Sequence, residues 1–515
     1  MRWIARIAAG FFMVLVIGFA GLSYATREPN RPVVRMPISS PLLLTGVTIV
    51  DPRTGTIASD RAVLMDKGRI VSVTSTAAAP SDPSIRRIDV TGRFVVPGYN
   101  DMHAHALGAA DPSGSLALML ANGVTGFRQM SGSEAMLGER RESRLPLGKD
   151  SPAVLAMPGP ILTPLNADTA EQARETVRAQ KAAGADFVKV GVVAPTVLVA
   201  VLDEAKQIGI SVDGHVPPGV ALLDAAQSGM RAIEHLGPAN GMLIACSSQA
   251  PGLLAQVREA NPTPRGPPVM LPFIDKIFEW ALQKRVINPA AASHEAAGVT
   301  FMAKALASKD DNRCRRTAQR LRAAGNWQVP TLIRLKTTLL GDDQSFANDP
   351  NLRFVSPGTV ASWREVNRKF AALYTPAEHQ TLERAYQRSL ELVKLLDEEG
   401  VRMLAGSDVV GGGWEIAGFS LHQEFDELAK AGLSPLRILQ MTTSDAADFL
   451  GRTQLMGAVA QGMNANLVIL SADPRIDVSN LHSVVGVVRA GFLYDEAALT
   501  RLKERVAEGR GVLRQ

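Results

Sequence analysis

Six side chains that could bind metal ions lie at the ends of short apolar runs in the sequence. His103 and His105 follow Val95-Val96-Pro97-Gly98, and the other four groups also end mostly apolar runs. Imidazole and carboxylate groups are common ligands of divalent cations, and a catalytic zinc site keeps one position open for water. If the runs are parallel strands, their carboxyl ends meet at one edge, so the six groups would converge. The candidates are His103, His105, Lys189, His215, His235 and Asp408.

Each candidate also has a plain structural explanation. A lone histidine at a strand end can be satisfied by a backbone carbonyl, and Asp408 after Gly406-Ser407 could be the N-cap of a helix. Two histidines at the spacing of His103 and His105 arise often by chance, although residues two apart on a strand point the same way. Their joint occurrence in the order expected of a barrel favours a metal site.

Lys189 is the most informative of these residues. A lysine at the end of an apolar strand is costly to bury when it is unpaired, and its ammonium form would repel a cation. An amine that has reacted with carbon dioxide becomes an anionic carbamate, and the two carbamate oxygens could bridge two metal ions. The alternative is a lysine that pairs with a carboxylate.

The elements that must position these groups follow an alternating pattern of strands and helices from about residue 97 to 450. Eight strand–helix units predict an α/β fold, a (β/α)8 TIM barrel with its active site at the carboxyl ends of the strands. The polar candidates fall at those ends. The strand candidates are residues 95–101, 124–129, 153–157, 187–190, 211–214, 232–234, 328–332 and 402–405.

Both ends of the chain predict a second, smaller domain. Residues 42–96 and 451–500 are β-rich, and neither makes a complete sheet alone, so we expect them to form one composite β-sandwich domain. Residues 28–41 contain four prolines and are predicted to be a linker. Residues from about 237 to 326 are too many for one connection, and this insertion could be a lid or a substrate wall.

The first residues predict export. Arg2 and Arg6 precede an uncharged stretch over residues 7–26, so residues 1–27 fit a cleaved signal peptide or a membrane anchor. The expected location is the periplasm or the membrane, with membrane contact through residues 7–26. Cys246 and Cys314 could form one disulfide in an oxidising compartment, or could be two buried thiols. The net charge of +5 is spread over 515 residues, so no nucleic-acid partner is expected.

The motifs together resemble the amidohydrolase superfamily over roughly residues 42–495. The resemblance is closest to the branch of imidazolonepropionase-like enzymes and metal-dependent dipeptidases of the prolidase type, and Lys189 is typical of its two-metal, carbamylated members. The matching residues are Pro97-Gly98-x-x-Asp101-x-His103-x-His105, Lys189, His215, His235 and Gly406-Ser407-Asp408.

The resemblance implies a binuclear centre with two divalent metal ions, zinc being the expected metal. His103, His105 and Asp408 would hold the first ion, and His215 and His235 the second. Carbamylated Lys189 and a hydroxide would bridge the ions. Asp408 would take the proton of the attacking hydroxide and return it to the leaving amine.

The function that this resemblance implies is hydrolysis of an amide-type C–N bond. The expected partner is a small molecule: a dipeptide, an N-acyl amino acid or a cyclic amide. A deaminase or a decarboxylase on the same scaffold, and a non-catalytic binding protein, are the alternatives. Gln129 stands where related sequences often have an acidic residue, so Arg128 could contact a substrate carboxylate or be structural. His422 could shape the pocket, although a surface or core position is favoured.

Overall fold

The structure, a computed structural model, describes Met13, Gly18, Gly21 and residues 31–510, with the exception of residues 239, 264, 267–284, 293 and 295–297. The predicted export segment over residues 1–27 lies outside the described residues apart from those three. Among the residues that are described, no helix is both long enough and apolar enough to cross a membrane.

Strands occur along the whole described part of the chain and differ in length. Several strands are short and buried on both faces. In chain order the strands are β1 (Leu42–Val50), β2 (Ile57–Asp66), β3 (Arg69–Ser75), β4 (Arg86–Asp89), β5 (Phe94–Pro97), β6 (Tyr99–Ala104), β7 (Val124–Gln129), β8 (Ala153–Ala156), β9 (Phe187–Val190), β10 (Ser211–Gly214), β11 (Met230–Glu234), β12 (Trp327–Val329), β13 (Arg402–Met403), β14 (Leu467–Leu470), β15 (Val484–Arg489) and β16 (Phe492–Asp495).

Strands from both ends of the chain share one eight-stranded sheet. Its order is β16-β15-β14-β5-β1-β2-β3, and β4 pairs with β1. The two ends meet where β14 runs antiparallel to β5, with Leu467 opposite Pro97 and Leu470 opposite Phe94. Each terminal segment therefore supplies hydrogen-bonding partners that the other lacks.

One strand prediction is wrong in an informative way. The predicted strand over residues 95–101 is two strands, β5 and β6, which belong to different sheets. They are separated at Gly98, whose amide donates to the carbonyl of Asn466. A Cβ atom at Gly98 would lie 2.0 Å from the hydroxyl oxygen of Thr125, so only glycine fits this crossing point. A continuous apolar run thus conceals a change of sheet.

The remaining strands form two parallel sheets, of order β6-β7-β8 and β13-β12-β11-β10-β9. Isolated parallel bridges join Ala104 to Val409 at one pair of edges and Leu162 to Val190 at the other. Next to the first bridge, the amide of Asp408 donates to the carbonyl of His103 at 2.7 Å. The end of β6 is thereby held beside the segment that follows β13.

Helices follow most of the parallel strands, as the alternating pattern predicts. Many begin at a side-chain cap such as Thr169, whose hydroxyl accepts from the amide of Gln172. The α-helices of the described residues are Pro112–Ala121, Glu134–Arg141, Ala170–Ala182, Pro195–Ile208, Leu222–Gln227, Gly241–Ala245, Ala250–Ala260, Val299–Ala307, Asp311–Ala323, Leu332–Leu339, Gln344–Ala347, Pro357–Leu373, Pro376–Glu398, Phe419–Lys430, Pro435–Thr442, Ser444–Phe449 and Glu496–Gly509.

The segment between β11 and β12 carries several helices of its own. Within it, a disulfide joins Cys246 to Cys314, so the alternative of two separate thiols is wrong. The second cysteine lies on the arginine-rich helix Asp311–Ala323, where Arg315 forms an ion pair with Glu399 at 2.8 Å. The disulfide ties this helix to the start of the segment.

Candidate metal centre

The end of β6 and the loop after β13 are fixed to each other by Asp101. Its carboxylate accepts hydrogen bonds from the hydroxyl of Ser407 at 2.5 Å and from the Ser407 amide at 3.0 Å. It also accepts from the amide of His103 at 3.2 Å. Burial raises the pKa of Asp101 to about 6, against the lowering effect of these donors. Asp101 therefore positions His103, two residues further along β6, and Asp408, which directly follows Ser407.

The histidines and Asp408 converge at this edge of the parallel strands. The Oδ1 atom of Asp408 lies 3.1 Å from Nε2 of His103 and 3.1 Å from Nε2 of His105, and its Oδ2 atom lies 3.9 Å from Nε2 of His235. The rings of His103 and His235 are 4.8 Å apart, and those of His215 and His235 are 5.2 Å apart. Ligand atoms of His103, His235 and Asp408 lie within 4.8 Å of one another. Five of the six predicted ligands are thus neighbours.

Lys189 lines the same cavity as those five residues, near the end of β9. It is 2% exposed, and its Nζ atom makes no hydrogen bond to any other part of the chain that the structure describes. Burial lowers the pKa of Lys189, although the carboxylates of Glu234 and Asp408 oppose that shift. An unpaired buried amine is costly, so Lys189 fits a site that some further group completes.

The protonation states suit a cation site. Burial lowers the pKa of His215 to about 3, and it also lowers the pKa values of His105 and His235. Burial raises the pKa of Asp408, but its histidine neighbours outweigh this and hold that pKa well below its usual range. Neutral imidazoles beside a carboxylate form the donor set that zinc prefers. The residues present therefore fit divalent metal ions.

Groups outside the cluster orient three of the rings. The Nδ1 atom of His103 lies 2.6 Å from Oε2 of Glu234, and that of His105 lies 2.9 Å from the hydroxyl of Ser131. The Nδ1 atom of His235 lies 2.5 Å from the hydroxyl of Thr331. Partners of this kind fix which nitrogen of each ring faces a metal. None of these partners was predicted, and only the position of Glu234 directly before His235 could have suggested one.

Arg128 belongs to a buried ion network behind the cluster. Its guanidinium donates to Glu234 at 2.8 Å, to Asp213 at 3.1 Å and to the carbonyl of Met102 at 2.6 Å. Arg231 donates to the same Asp213 at 2.6 Å. Arg128 is fully buried and is not among the described residues that line the cavity, which favours the structural alternative over contact with a substrate carboxylate. Gln129 nearby donates to the carbonyl of Ser131.

Arg334 is a site residue that the sequence analysis missed. Its Nε atom lies 3.4 Å from Oδ2 of Asp408, and its terminal nitrogens donate to the carbonyls of Val286 and Ile287. A Cβ atom at Gly412 would lie 1.6 Å from this guanidinium, so a side chain there would displace Arg334. Arg334 lies on the first turn of the helix after β12, and no motif marks it.

His422 lies in the core. Its Nε2 atom is 2.7 Å from the carbonyl of Asn122, and its ring contacts Tyr99 and Phe425. It is absent from the described lining of the cavity that holds the metal cluster. The prediction that favoured a surface or core position over a pocket role is therefore confirmed.

The fold and the family are supported by comparison with known proteins. A model of the amidohydrolase family matches residues 379–493. Imidazolonepropionase of Mycolicibacterium smegmatis is 41% identical over 61 residues, which are 12% of this chain and 15% of that protein. The structure of bottromycin amidohydrolase superimposes with a TM-score of 0.63 at 24% identity, covering 97% of this chain and 94% of that one.

Residues 379–493 are thus similar to the amidohydrolase family. A Xaa-Pro dipeptidase, solved with methionine bound in its active site, also shares this fold. Its TM-score is 0.56 at 16% identity, and the match covers 88% of this chain and 100% of that one. Both structural matches extend far beyond the short segment aligned with imidazolonepropionase, so the architecture is shared over most of the chain.

Proposed function

We propose that this chain is a member of the amidohydrolase superfamily and that it hydrolyses an amide-type C–N bond at a centre of two divalent metal ions. The observation that carries the proposal is the convergence of six potential ligands from separate segments on one buried cavity, with the Nζ atom of Lys189 left without a hydrogen bond among the described residues. A protein that only bound a ligand would have no use for this arrangement of unpaired donors.

His103, His105 and Asp408 would hold one ion, and His215 and His235 the other. Lys189 would bridge the two as a carbamate, and its lowered pKa supports this because only the neutral amine reacts with carbon dioxide. Zinc suits this set of nitrogen and oxygen ligands. Bound ions would supply Lewis acidity and would lower the pKa of a coordinated water toward ~7.

Asp408 is the proposed proton carrier. Its low pKa leaves it deprotonated at the start of a turnover, so it can accept a proton from the attacking water. It can then deliver that proton to the leaving amine. Arg334, at 3.4 Å from Oδ2 of Asp408, holds the carboxylate in place.

We also infer the architecture around the site. The bridges between Ala104 and Val409 and between Leu162 and Val190 support a closed (β/α)8 barrel made of both parallel sheets. The eight-stranded sheet would be the core of a composite domain over residues 42–96 and 451–500, with the barrel over residues 97–450. Export to the periplasm or anchoring at the membrane stays a proposal, which the Cys246–Cys314 disulfide supports, since disulfides persist in oxidising compartments.

The substrates proposed are dipeptides, N-acyl amino acids and cyclic amides. The test is metal analysis of the purified chain, followed by a screen of such amides for amine release. About two divalent ions per chain and release of a free amine are expected, as a two-metal centre requires. A metal-free, inactive protein would favour a binding protein, and release of ammonia or carbon dioxide would favour a deaminase or a decarboxylase.

Asp408→Asn tests the proton transfer itself. The variant should retain much of its metal, because one oxygen ligand remains, while kcat falls about 10²- to 10⁴-fold. Asp203→Asn, on an exposed face of the helix Pro195–Ile208, is the matched control and should leave turnover unchanged. Full turnover in Asp408→Asn would remove the proposed role of Asp408.

A further inference from the structure

The cavity at the metal centre includes a region between four helices. These helices, Gly241–Ala245, Val299–Ala307, Leu332–Leu339 and Pro376–Glu398, pack against one another. The side chains that they contribute to the lining are aliphatic apart from Arg334, Thr338 and Ser389. We call this region the aliphatic arm. It is lined by Met242, Leu243, Met302, Leu335, Leu339 and Leu392.

Most side chains of the aliphatic arm are buried. Met242 and Leu392 are each 1% exposed, Met302 is 4% exposed and Leu339 is 6% exposed. A charged or strongly polar substrate group would lose its hydration there without regaining hydrogen bonds, whereas an apolar chain gains free energy from the same burial. The whole cavity has a volume of about 1060 Å³, which is at the upper end for small-molecule sites and exceeds what a dipeptide requires.

The charged groups on the rest of the lining have one sign. Outside the metal cluster, the charged residues that line the cavity in the described part of the chain are Arg31, Arg285 and Arg334. Arg31 is bound to Glu139 at 3.0 Å, and Arg334 is occupied by Asp408 and two carbonyls. Arg285 is exposed. This distribution favours a substrate that carries an anionic group.

We propose that the substrate is an N-acyl amino acid whose acyl group is a long aliphatic chain. The chain lies in the aliphatic arm, the amide lies at the metal cluster, and the carboxylate lies toward Arg285. Water adds to the amide carbonyl, the C–N bond breaks, and a proton from that water goes to the nitrogen, so a fatty acid anion and a free amino acid leave. This inference rests on the proposed amide hydrolysis and narrows its substrate.

The first test is a chain-length series on the unmodified protein. With one amino acid, the acyl group is varied from acetyl to dodecanoyl, and kcat/KM is measured by release of the amino acid. We expect kcat/KM to rise about threefold per methylene until the arm is filled, because each buried CH2 group adds a similar increment of transfer free energy. Equal kcat/KM across the series, or a preference for benzoyl over octanoyl, would overturn the inference while leaving amide hydrolysis intact.

A pair of variants on one helix tests the location of the chain. Ser389 lines the cavity, whereas Gln387 on the same helix is exposed. Ser389→Leu should shorten the preferred acyl group and reduce kcat/KM for dodecanoyl at least tenfold more than for acetyl. Gln387→Leu adds the same side chain outside the cavity and should retain the wild-type profile. An unchanged profile in a folded Ser389→Leu protein would place the chain elsewhere.

Ligand binding tests the inference without turnover. Dodecanoate and acetate are titrated into the metal-loaded protein by calorimetry, since both are carboxylate products of the proposed reaction. Dodecanoate should bind at least 100-fold more tightly than acetate, and Ser389→Leu should abolish most of that difference. Equal affinities would overturn the inference even if no amide in the series were hydrolysed, whereas tight dodecanoate binding without hydrolysis would count against the proposed function alone.

Discussion

Two clusters of buried charge lie side by side in this protein, and they are built on opposite principles. In the ion network, Arg128 and Arg231 donate to Asp213 and Glu234, and each carboxylate has cationic partners. In the metal cluster, the Nζ atom of Lys189 is buried without a hydrogen bond to the described chain. The clusters touch where Glu234 contacts His103.

The difference separates a structural element from a binding site. A buried ion network that satisfies its own groups needs nothing from outside, whereas buried donors and acceptors without partners cost free energy unless something else completes them. The ion network can therefore act as the rigid support against which the metal cluster keeps its unpaired groups in position.

The largest effect should come from removing the unpaired amine. Lys189→Ala should lose most bound metal and reduce turnover at least about 1000-fold, because the proposed bridge between the ions disappears. Short carboxylic acids should restore part of both, measured by metal content and amine release. Lys206→Ala, on an exposed helix face, is the control. Full metal content in Lys189→Ala would show that the unpaired amine is not needed to bind the metal ions.

A substitution in the ion network should lower the stability of the fold. Arg128→Met leaves two buried carboxylates with fewer partners, so the free energy of unfolding should fall by about 3–5 kcal/mol. Urea unfolding of the metal-free protein measures this. Arg178→Met removes an arginine whose side chain is 47% exposed and should cost no more than about 1 kcal/mol. Similar values for the two variants would mean that the buried network is not a support.

Glu234 tests the contact between the clusters. Glu234→Gln retains the shape of the side chain but weakens its hold on His103, so metal affinity should fall about 10- to 100-fold. Competition with a chelator measures the affinity, and the exposed Glu175→Gln is the matched control. Unchanged affinity would show that the network does not orient the ligands.

The smallest effect concerns a buried ionisable residue outside both clusters. Burial lowers the pKa of His422 to about 3, so His422 stays neutral in the folded chain while the unfolded chain takes up a proton below about pH 6.5. The unfolded state then binds more protons, and stability falls as the pH drops from 6.5 toward 3.

This contribution of His422 should amount to about 2 kcal/mol between pH 6.5 and pH 5. His422→Gln should flatten the pH dependence of urea unfolding by that amount. His294→Gln, whose side chain is 49% exposed, should retain the wild-type dependence. Parallel curves for wild type and His422→Gln would contradict the assignment.

Sequence reasoning succeeded where one local signal was sufficient. The strands Val124–Gln129, Phe187–Val190 and Ser211–Gly214 are confirmed to the residue. It failed at Gly98, where two strands of different sheets follow each other without a polar break. Hydropathy records burial, and both strands are buried.

The six candidate ligands were identifiable from the sequence because their residue types and strand-end positions are local properties. Their partners were not. Glu234 reaches His103 across 131 residues, and Arg334 reaches Asp408 from a helix that no motif marks. Which buried group is paired and which is left for a metal depends on distances between remote segments, and the folded chain alone determines those distances.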